Sequence, residues 1–256
     1  LLTPSTAITT AELPSPVGAL ARFADSFATW FMPHHPLFKP STRRHWLRHC
    51  NVVVGAVLAL GSAQAATPPV QARVLVVGDS LSAEYGLPRG SGWVALLAQK
   101  LVAEKLPHQV VNASVSGDTT AGGRTRLPAL LAKHQPSHVV IELGGNYALR
   151  GLPLSMTEAN LTAMVQAAQA AGARVTLVGM QVPPNYGPAY TRDFADLFAK
   201  VAKAQRTALV PFLLKNVADA PDAASLFQAD RIHPSAAAHP RLLDNVWPVL
   251  HPQLKP

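Results

Sequence analysis

The decapeptide Arg73-Val-Leu-Val-Val-Gly-Asp-Ser-Leu-Ser82 runs an apolar stretch, Val74 to Val77, straight into Gly78-Asp79-Ser80. A short Val-rich run bounded by Gly reads as a strand buried on both faces, as in parallel sheets. Gly78 allows a sharp turn where the strand ends. Ser80 is thereby delivered to the carboxyl edge of the sheet, where open α/β sheets bind their ligands. Two readings of Ser80 are open: a nucleophile, or a serine that only shapes a turn. The G-x-S-x-G elbow is absent, because no Gly stands two residues beyond Ser80. Residues elsewhere must choose between them.

Outward from this stretch, apolar runs alternate with helical patterns, the mark of βαβ units and a parallel sheet. Strands are expected at 73–77, 110–111, 139–141, 175–178 and 209–210. Helices are expected at 93–106, 122–134, 155–171 and 191–205. Pro128 is expected to kink the second helix or to start it. Residues 181–190, with three Pro and Tyr186-Gly187, read as a loop. Near the C-terminus, Asp230-Arg-Ile-His233-Pro234 sets an imidazole close to a carboxylate. Pro234 keeps His233 out of helical geometry and suits a helix's first turn, so both residues are expected just before a helix.

The first three strands each end in a loop of small residues that holds a possible donor: Ser80, Gly117 and Asn146. In a parallel sheet these loops converge on one edge. Acyl transfer needs a hydroxyl nucleophile, a base, a carboxylate to orient the base, and donors for the developing oxyanion. Ser80, His233 and Asp230 can fill the first three roles. The N–H groups of Ser80 and Gly117 and the Asn146 amide can fill the fourth. Asp79 and Asp118 are read as loop holders that accept backbone N–H groups.

Gly78-Asp79-Ser80-Leu81-Ser82, Gly117-Asp118-Thr119, Gly144-Gly145-Asn146 and Asp230-Arg-Ile-His233-Pro234 resemble, in order, the four motif blocks of the SGNH (GDSL-type) hydrolases. Val111-Asn-Ala-Ser-Val-Ser-Gly-Asp118, Arg126-Leu-Pro-Ala-Leu-Leu131 and Pro184-Asn-Tyr-Gly187 are similar to the periplasmic multifunctional thioesterase/lysophospholipase and arylesterase branch. The resemblance spans roughly residues 73–252. It implies a flavodoxin-like three-layer α/β/α sandwich on a parallel sheet of about five strands. It also implies an acyl-enzyme mechanism with Ser80 as nucleophile, His233 as base and Asp230 as its partner, and with Ser80, Gly117 and Asn146 as the oxyanion hole. Two positions depart from the branch. Tyr147 stands where it usually has Asp after Gly-Gly-Asn, and Glu84 where it commonly has Gly.

Tyr147 is expected to turn outward as an aromatic wall of the acyl groove. Leu149 and Leu152 are assigned to the same substrate-binding surface, as is Tyr186, although Leu81, Leu149, Leu152 and Leu154 suit groove and core equally. His134 and His138 are read as surface residues, and His239 and His251 carry no metal spacing. Neither H-E-x-x-H nor a carboxylate-rich loop occurs, so neither a metal nor a cofactor is expected.

The chain has 256 residues, 48% hydrophobic and 14% charged, enough for one α/β domain. Its net charge of +8 is spread without a basic cluster carrying interleaved aromatics, which argues against nucleic acid as a partner. The single cysteine, Cys50, excludes an internal disulfide. Residues 1–40 are expected to be an unstructured upstream segment, with Met32 as a natural start. Residues 41–65 read as a signal peptide: Arg43, Arg44 and Arg48, then the apolar run Val52 to Leu60, then the small-x-small site Ala63-Gln64-Ala65. Residues 66–256 would be the exported, periplasmic or secreted hydrolase domain. The apolar run is about half the ~20 residues of a transmembrane helix, so no stable membrane insertion is expected. The partner is then a small-molecule acyl ester or lysophospholipid, and the domain a monomer. The competing functions are a carbohydrate O-acetylesterase on the same scaffold and an acyl or lipid binder that Tyr147 has disabled.

Overall fold

A computed structural model describes residues 72–254. The upstream segment and signal peptide expected over residues 1–65 lie outside them. Five strands form one sheet: β1 (Ala72–Gly78), β2 (His108–Asn112), β3 (His138–Glu142), β4 (Arg174–Val178) and β5 (Ala208–Val210). All pairings are parallel, in the order β2-β1-β3-β4-β5. The helices are α1 (Trp93–Ala103), α2 (Thr120–His134), α3 (Gly145–Leu149), α4 (Leu154–Ala170), α5 (Pro188–Gln205), α6 (Ala223–Leu226) and α7 (His239–Leu254). α1 and α7 pack together against the sheet, while α2, α4 and α5 pack as a second group. The result is the expected three-layer sandwich. No helix among the described residues is long and apolar enough to cross a membrane.

The sheet sits where its composition requires. Val74–Val77 and Val139–Ile141 are fully buried. Each such side chain contributes roughly 1.5–3 kcal/mol relative to exposure. Gly78 pairs with Glu142, so β1 and β3 end side by side. Because β1 lies between β2 and β3, its neighbours are reached in opposite directions. The crevice at such a reversal is where loops diverge and leave room for a ligand.

Several local expectations need correction. α2 runs unbroken through Pro128 and starts at Thr120, because the Thr119 hydroxyl caps it by accepting the Gly122 N–H at 3.1 Å. α5 begins at Pro188, inside the expected loop, since a proline at the first helical position has its φ preset and needs no N–H partner. Residues 145–149, read as loop, form the short helix α3. His138 is not on the surface. It is 6% exposed, and its ring meets the Ser137 hydroxyl at 2.9 Å and the Gln253 carbonyl at 2.6 Å.

Glu84 has a structural use. Its φ is +60°, the left-handed region that explains why a Gly is common there in the resembling branch. Its carboxylate accepts the Gly90 N–H at 3.0 Å and the Gly92 N–H at 2.8 Å, just ahead of α1. An anion at this point also suits the helix dipole.

His239, at the start of α7, is 2% exposed, and its Nδ1 accepts the Trp93 N–H at 2.9 Å. Only the unprotonated nitrogen can accept, and burial pushes the imidazole down to about 4 from its ordinary 6.5. The unfolded chain therefore takes up a proton below pH 6.5 that the folded chain refuses until about pH 4. Stability present above pH 6.5 is lost as pH falls through that window, by up to about 3 kcal/mol. Urea unfolding of the parent and of His239→Asn at pH 7 and pH 4.5 checks this. The parent should lose stability more steeply, and parallel losses would show that another group carries the effect.

Candidate active site

The turn after β1 is wound tightly. Ala83 N–H reaches the Asp79 carbonyl at 2.9 Å, and Leu81 N–H reaches Asp79 Oδ1 at 3.1 Å. Asp79 thus holds the loop as expected. Ser80 is partly exposed at the mouth of the turn, and its own N–H has no partner among the described residues.

The loop after β2 is tied back to β1. Val115 N–H donates to the Gly78 carbonyl at 3.0 Å. Asp118 Oδ1 accepts the Thr119 N–H at 2.8 Å, and its Oδ2 accepts from Arg126 Nε at 2.7 Å. Arg126 also bonds the Ala113 carbonyl and, at 3.4 Å, the Gly78 carbonyl, fixing both loops to one side chain. Gly117 turns at φ +77°, where a Cβ would be strained, and its N–H is likewise without a partner among the described residues.

The C-terminal loop is a closed bend. Phe227 and Pro234 form an antiparallel bridge, and Gln228 N–H donates to the His233 carbonyl at 2.7 Å. Pro234 is used in that bridge, a 3₁₀ turn over Ala236–Ala238 follows, and α7 runs from His239. Arg231 turns at φ +57°, which brings the Ile232 and His233 N–H groups onto Asp230 Oδ1 at 2.9 and 3.0 Å. Asp230 Oδ2 lies 2.7 Å from His233 Nδ1. These bonds, the His233 N–H first, hold the Asp230 carboxyl down at about 2. His233 Nε2 lies 2.9 Å from Ser80 Oγ across 153 residues of chain. Tyr85 packs its ring 4.4 Å from the imidazole, and Gln228 Nε2 bridges the Tyr85 and Pro234 carbonyls at 2.9 and 3.0 Å.

Ser80, His233 and Asp230 therefore come together as a hydrogen-bonded line, with the Ser80 and Gly117 loops beside it. Asn146 enters the same edge on α3, but both its amide hydrogens are engaged. Nδ2 donates to Asp79 Oδ2 at 3.0 Å and to the Asp118 carbonyl at 2.9 Å. For it to serve an oxyanion, one of these hydrogens must be shared.

The substrate-binding assignments separate. Tyr147 is 7% exposed, so its ring does not turn outward as expected. Its neighbours Leu149 and Leu152 stay at the surface and half-buried, with Leu149 40% exposed. Tyr186 straps this loop, its hydroxyl donating to the Leu149 carbonyl at 3.0 Å, and Tyr190 bonds the Ala148 and Leu152 carbonyls at 3.3 Å. Leu81 is core. Sequence reasoning missed Tyr85, Arg126, Gln228 and Glu142. Of these, Arg126 stood only in a motif quoted for its resemblance, and Glu142 carried a signal as an acid after the apolar run Val139 to Ile141.

Known proteins resemble this chain over most of its described residues. Residues 76–241 match the model of the GDSL-like Lipase/Acylhydrolase family. Esterase TesA of Pseudomonas aeruginosa is 54% identical over 181 residues, covering 71% of this chain and 89% of that protein. Thioesterase 1/protease 1/lysophospholipase L1 of Escherichia coli is 41% identical over 179 residues, covering 70% and 83%. The crystal structure of the psychrotrophic esterase EstA from Pseudoalteromonas sp., inhibited by monoethylphosphonate, is 40% identical with a TM-score of 0.67, covering 71% of this chain and 98% of that one.

Proposed function

The chain belongs to the GDSL-like Lipase/Acylhydrolase family, and on that premise we propose that it is an exported esterase that hydrolyses acyl esters through an acyl-enzyme on Ser80. The observation that carries this reading is the relay from Ser80 Oγ through His233 to Asp230, at 2.9 and 2.7 Å. In the proposed cycle His233 Nε2 takes the Ser80 proton as Oγ attacks the ester carbonyl. The oxyanion forms against the free N–H groups of Ser80 and Gly117, and charge on a preorganised donor pair costs no reorganisation. Asp230 stabilises the imidazolium. Collapse expels the alcohol or thiol with the proton from His233, and water, deprotonated by the same nitrogen, releases the acid.

Acyl rather than sugar substrates are favoured by the rim. Tyr85, Val115 and Ile232 stand exposed on the loops that carry the polar groups, and Leu149 at the end of α3. Thioester and lysophospholipid substrates enter the proposal from the names of the relatives. Export rests on Arg43, Arg44 and Arg48, the Val52 to Leu60 run and the Ala63-Gln64-Ala65 site. The test is labelling by a fluorophosphonate together with a chain-length series of p-nitrophenyl esters. Labelling of Ser80 with turnover is expected. An unlabelled, inactive protein would mean an acyl binder instead.

A further inference from the structure

Behind Ser80 lies a buried carboxyl pair that the acyl-transfer steps do not use. Glu142, the last residue of β3, is 1% exposed, and Asp79 is 3% exposed. Glu142 Oε2 accepts the Ser82 hydroxyl at 2.7 Å and the Asp79 N–H at 3.3 Å. The Ser82 oxygen in turn accepts Trp93 Nε1–H at 3.2 Å. Glu142 Oε1 is buried with no donor aimed at it, and the Asp79 N–H on Oε2 together with the pairing of Gly78 with Glu142 sets the two acidic residues side by side. The site is built to hold an acid. A Cβ on Gly78 would sit 2.7 Å from Ser82 Oγ and 2.8 Å from Glu142 Oε2.

Two carboxylates cannot both be charged here. Among the described residues neither makes a salt bridge, and Arg126, the cation of this region, is spent on Asp118 and the carbonyls of Ala113 and Gly78. The other titratable groups facing the pair are Asp118 and His233. Burial raises Asp79 to about 6, and the Leu81 N–H and Asn146 Nδ2–H that it accepts work against this by favouring its charged form. Glu142 has the atom without a partner. A proton on Oε1 would give that atom a role as donor to Asp79 and remove the like-charge repulsion.

We propose that Glu142 is a positioning residue that works as a neutral carboxylic acid, sharing its proton with Asp79 so that Asp79 stays an anion and holds both the Ser80 turn and the Asn146 amide. This rests on the role proposed for Ser80. Burial, with Asp79 next in effect, raises Glu142 well above its ordinary 4.5, in keeping with the geometry.

The test compares the parent with Glu142→Gln and Glu142→Ala. Gln reproduces the neutral acid, with an oxygen for Ser82 and an N–H for Asp79. It should lose no more than about threefold in kcat, whereas Ala should lose about 10- to 100-fold with little change in KM, because only alignment of the reacting groups is disturbed. Equal losses in Gln and Ala, or no loss in Ala, overturn the proposal. Two readouts independent of activity bear on the proton itself. The infrared difference between parent and Glu142→Gln at pH 7 should contain a protonated carboxyl band, and a carboxylate band alone overturns the assignment. Above pH 4.5 the folded parent must keep a proton that its unfolded chain releases. The contribution of Glu142 to stability therefore falls as pH rises, and the stability of Glu142→Gln relative to the parent in urea unfolding should grow from pH 4.5 to 7. A constant difference counts against the proposal. If the parent also fails to react with fluorophosphonate, the role of Ser80 falls, while the infrared and unfolding results still decide where the proton is.

Discussion

Ser80→Ala and His233→Ala are each expected to remove nearly all hydrolysis, a loss on the order of 10⁶ in kcat, and the double variant to lose little more. The hydroxyl is a poor nucleophile until its proton leaves, and the proton has one place to go, His233 Nε2 at 2.9 Å. Without the base the hydroxyl is idle, and without the hydroxyl the base has nothing to activate. Neither free energy can be lost twice. The loops remain, so the Ser80 and Gly117 N–H groups and the apolar rim should still bind ester, with KM changing far less than kcat. Steady-state kinetics on p-nitrophenyl esters check this for the three variants. Losses that multiply in the double variant would show that His233 is not the base for Ser80.

Asp230→Asn should lower kcat by about 10⁴ through the tautomer of His233 rather than through its position. Asp230 uses both oxygens: Oδ1 accepts the N–H groups of Ile232 and His233, and Oδ2 accepts from His233 Nδ1. An amide has one oxygen. Two backbone donors claim it, so the NH₂ is turned toward Nδ1 and can only donate. The imidazole must then carry its proton on Nε2, the nitrogen that faces Ser80, and cannot take another from the hydroxyl. The fold should be nearly unaffected, because the two backbone bonds survive. Nuclear magnetic resonance of the ring nitrogens together with kcat tests the point. A loss of activity with the proton still on Nδ1 would mean that Asp230 acts by charge alone.

The alternation of Val-rich runs with helical patterns was enough to place five parallel strands, because a strand buried on both faces must be apolar throughout. Turn chemistry placed Ser80, Gly117 and His233 in loops, since Gly and X-Pro restrict the backbone within a few residues of themselves, whereas Asn146, read the same way, lies in α3. Helix starts were less legible. Thr119 and Pro188 begin their helices by local means that were visible, but a proline inside a helical pattern carried more weight than a cap nine residues before it. Tyr147 shows a different limit. Nothing in its neighbours along the chain said that its ring would be buried, because the space it fills is made by packed elements remote in sequence.

By itself the sequence determined the parallel sheet, the edge on which the site stands and the residue types the chemistry needs, all of which depend on neighbours a few positions apart. Tertiary structure alone decided which atoms meet. The contact of Ser80 with His233 spans 153 residues, Asn146 with Asp79 spans 67, and Ser82 with Glu142 spans 60. Strand register sets Gly78 opposite Glu142, and a one-residue slip would turn the acid to the other face of the sheet. Register and burial also decided that His138 is interior rather than on the surface, its Nε2 donating to the Gln253 carbonyl, and that His239 accepts the Trp93 N–H, because a histidine's role follows from what desolvates it and what bonds it, and neither is written in its own segment.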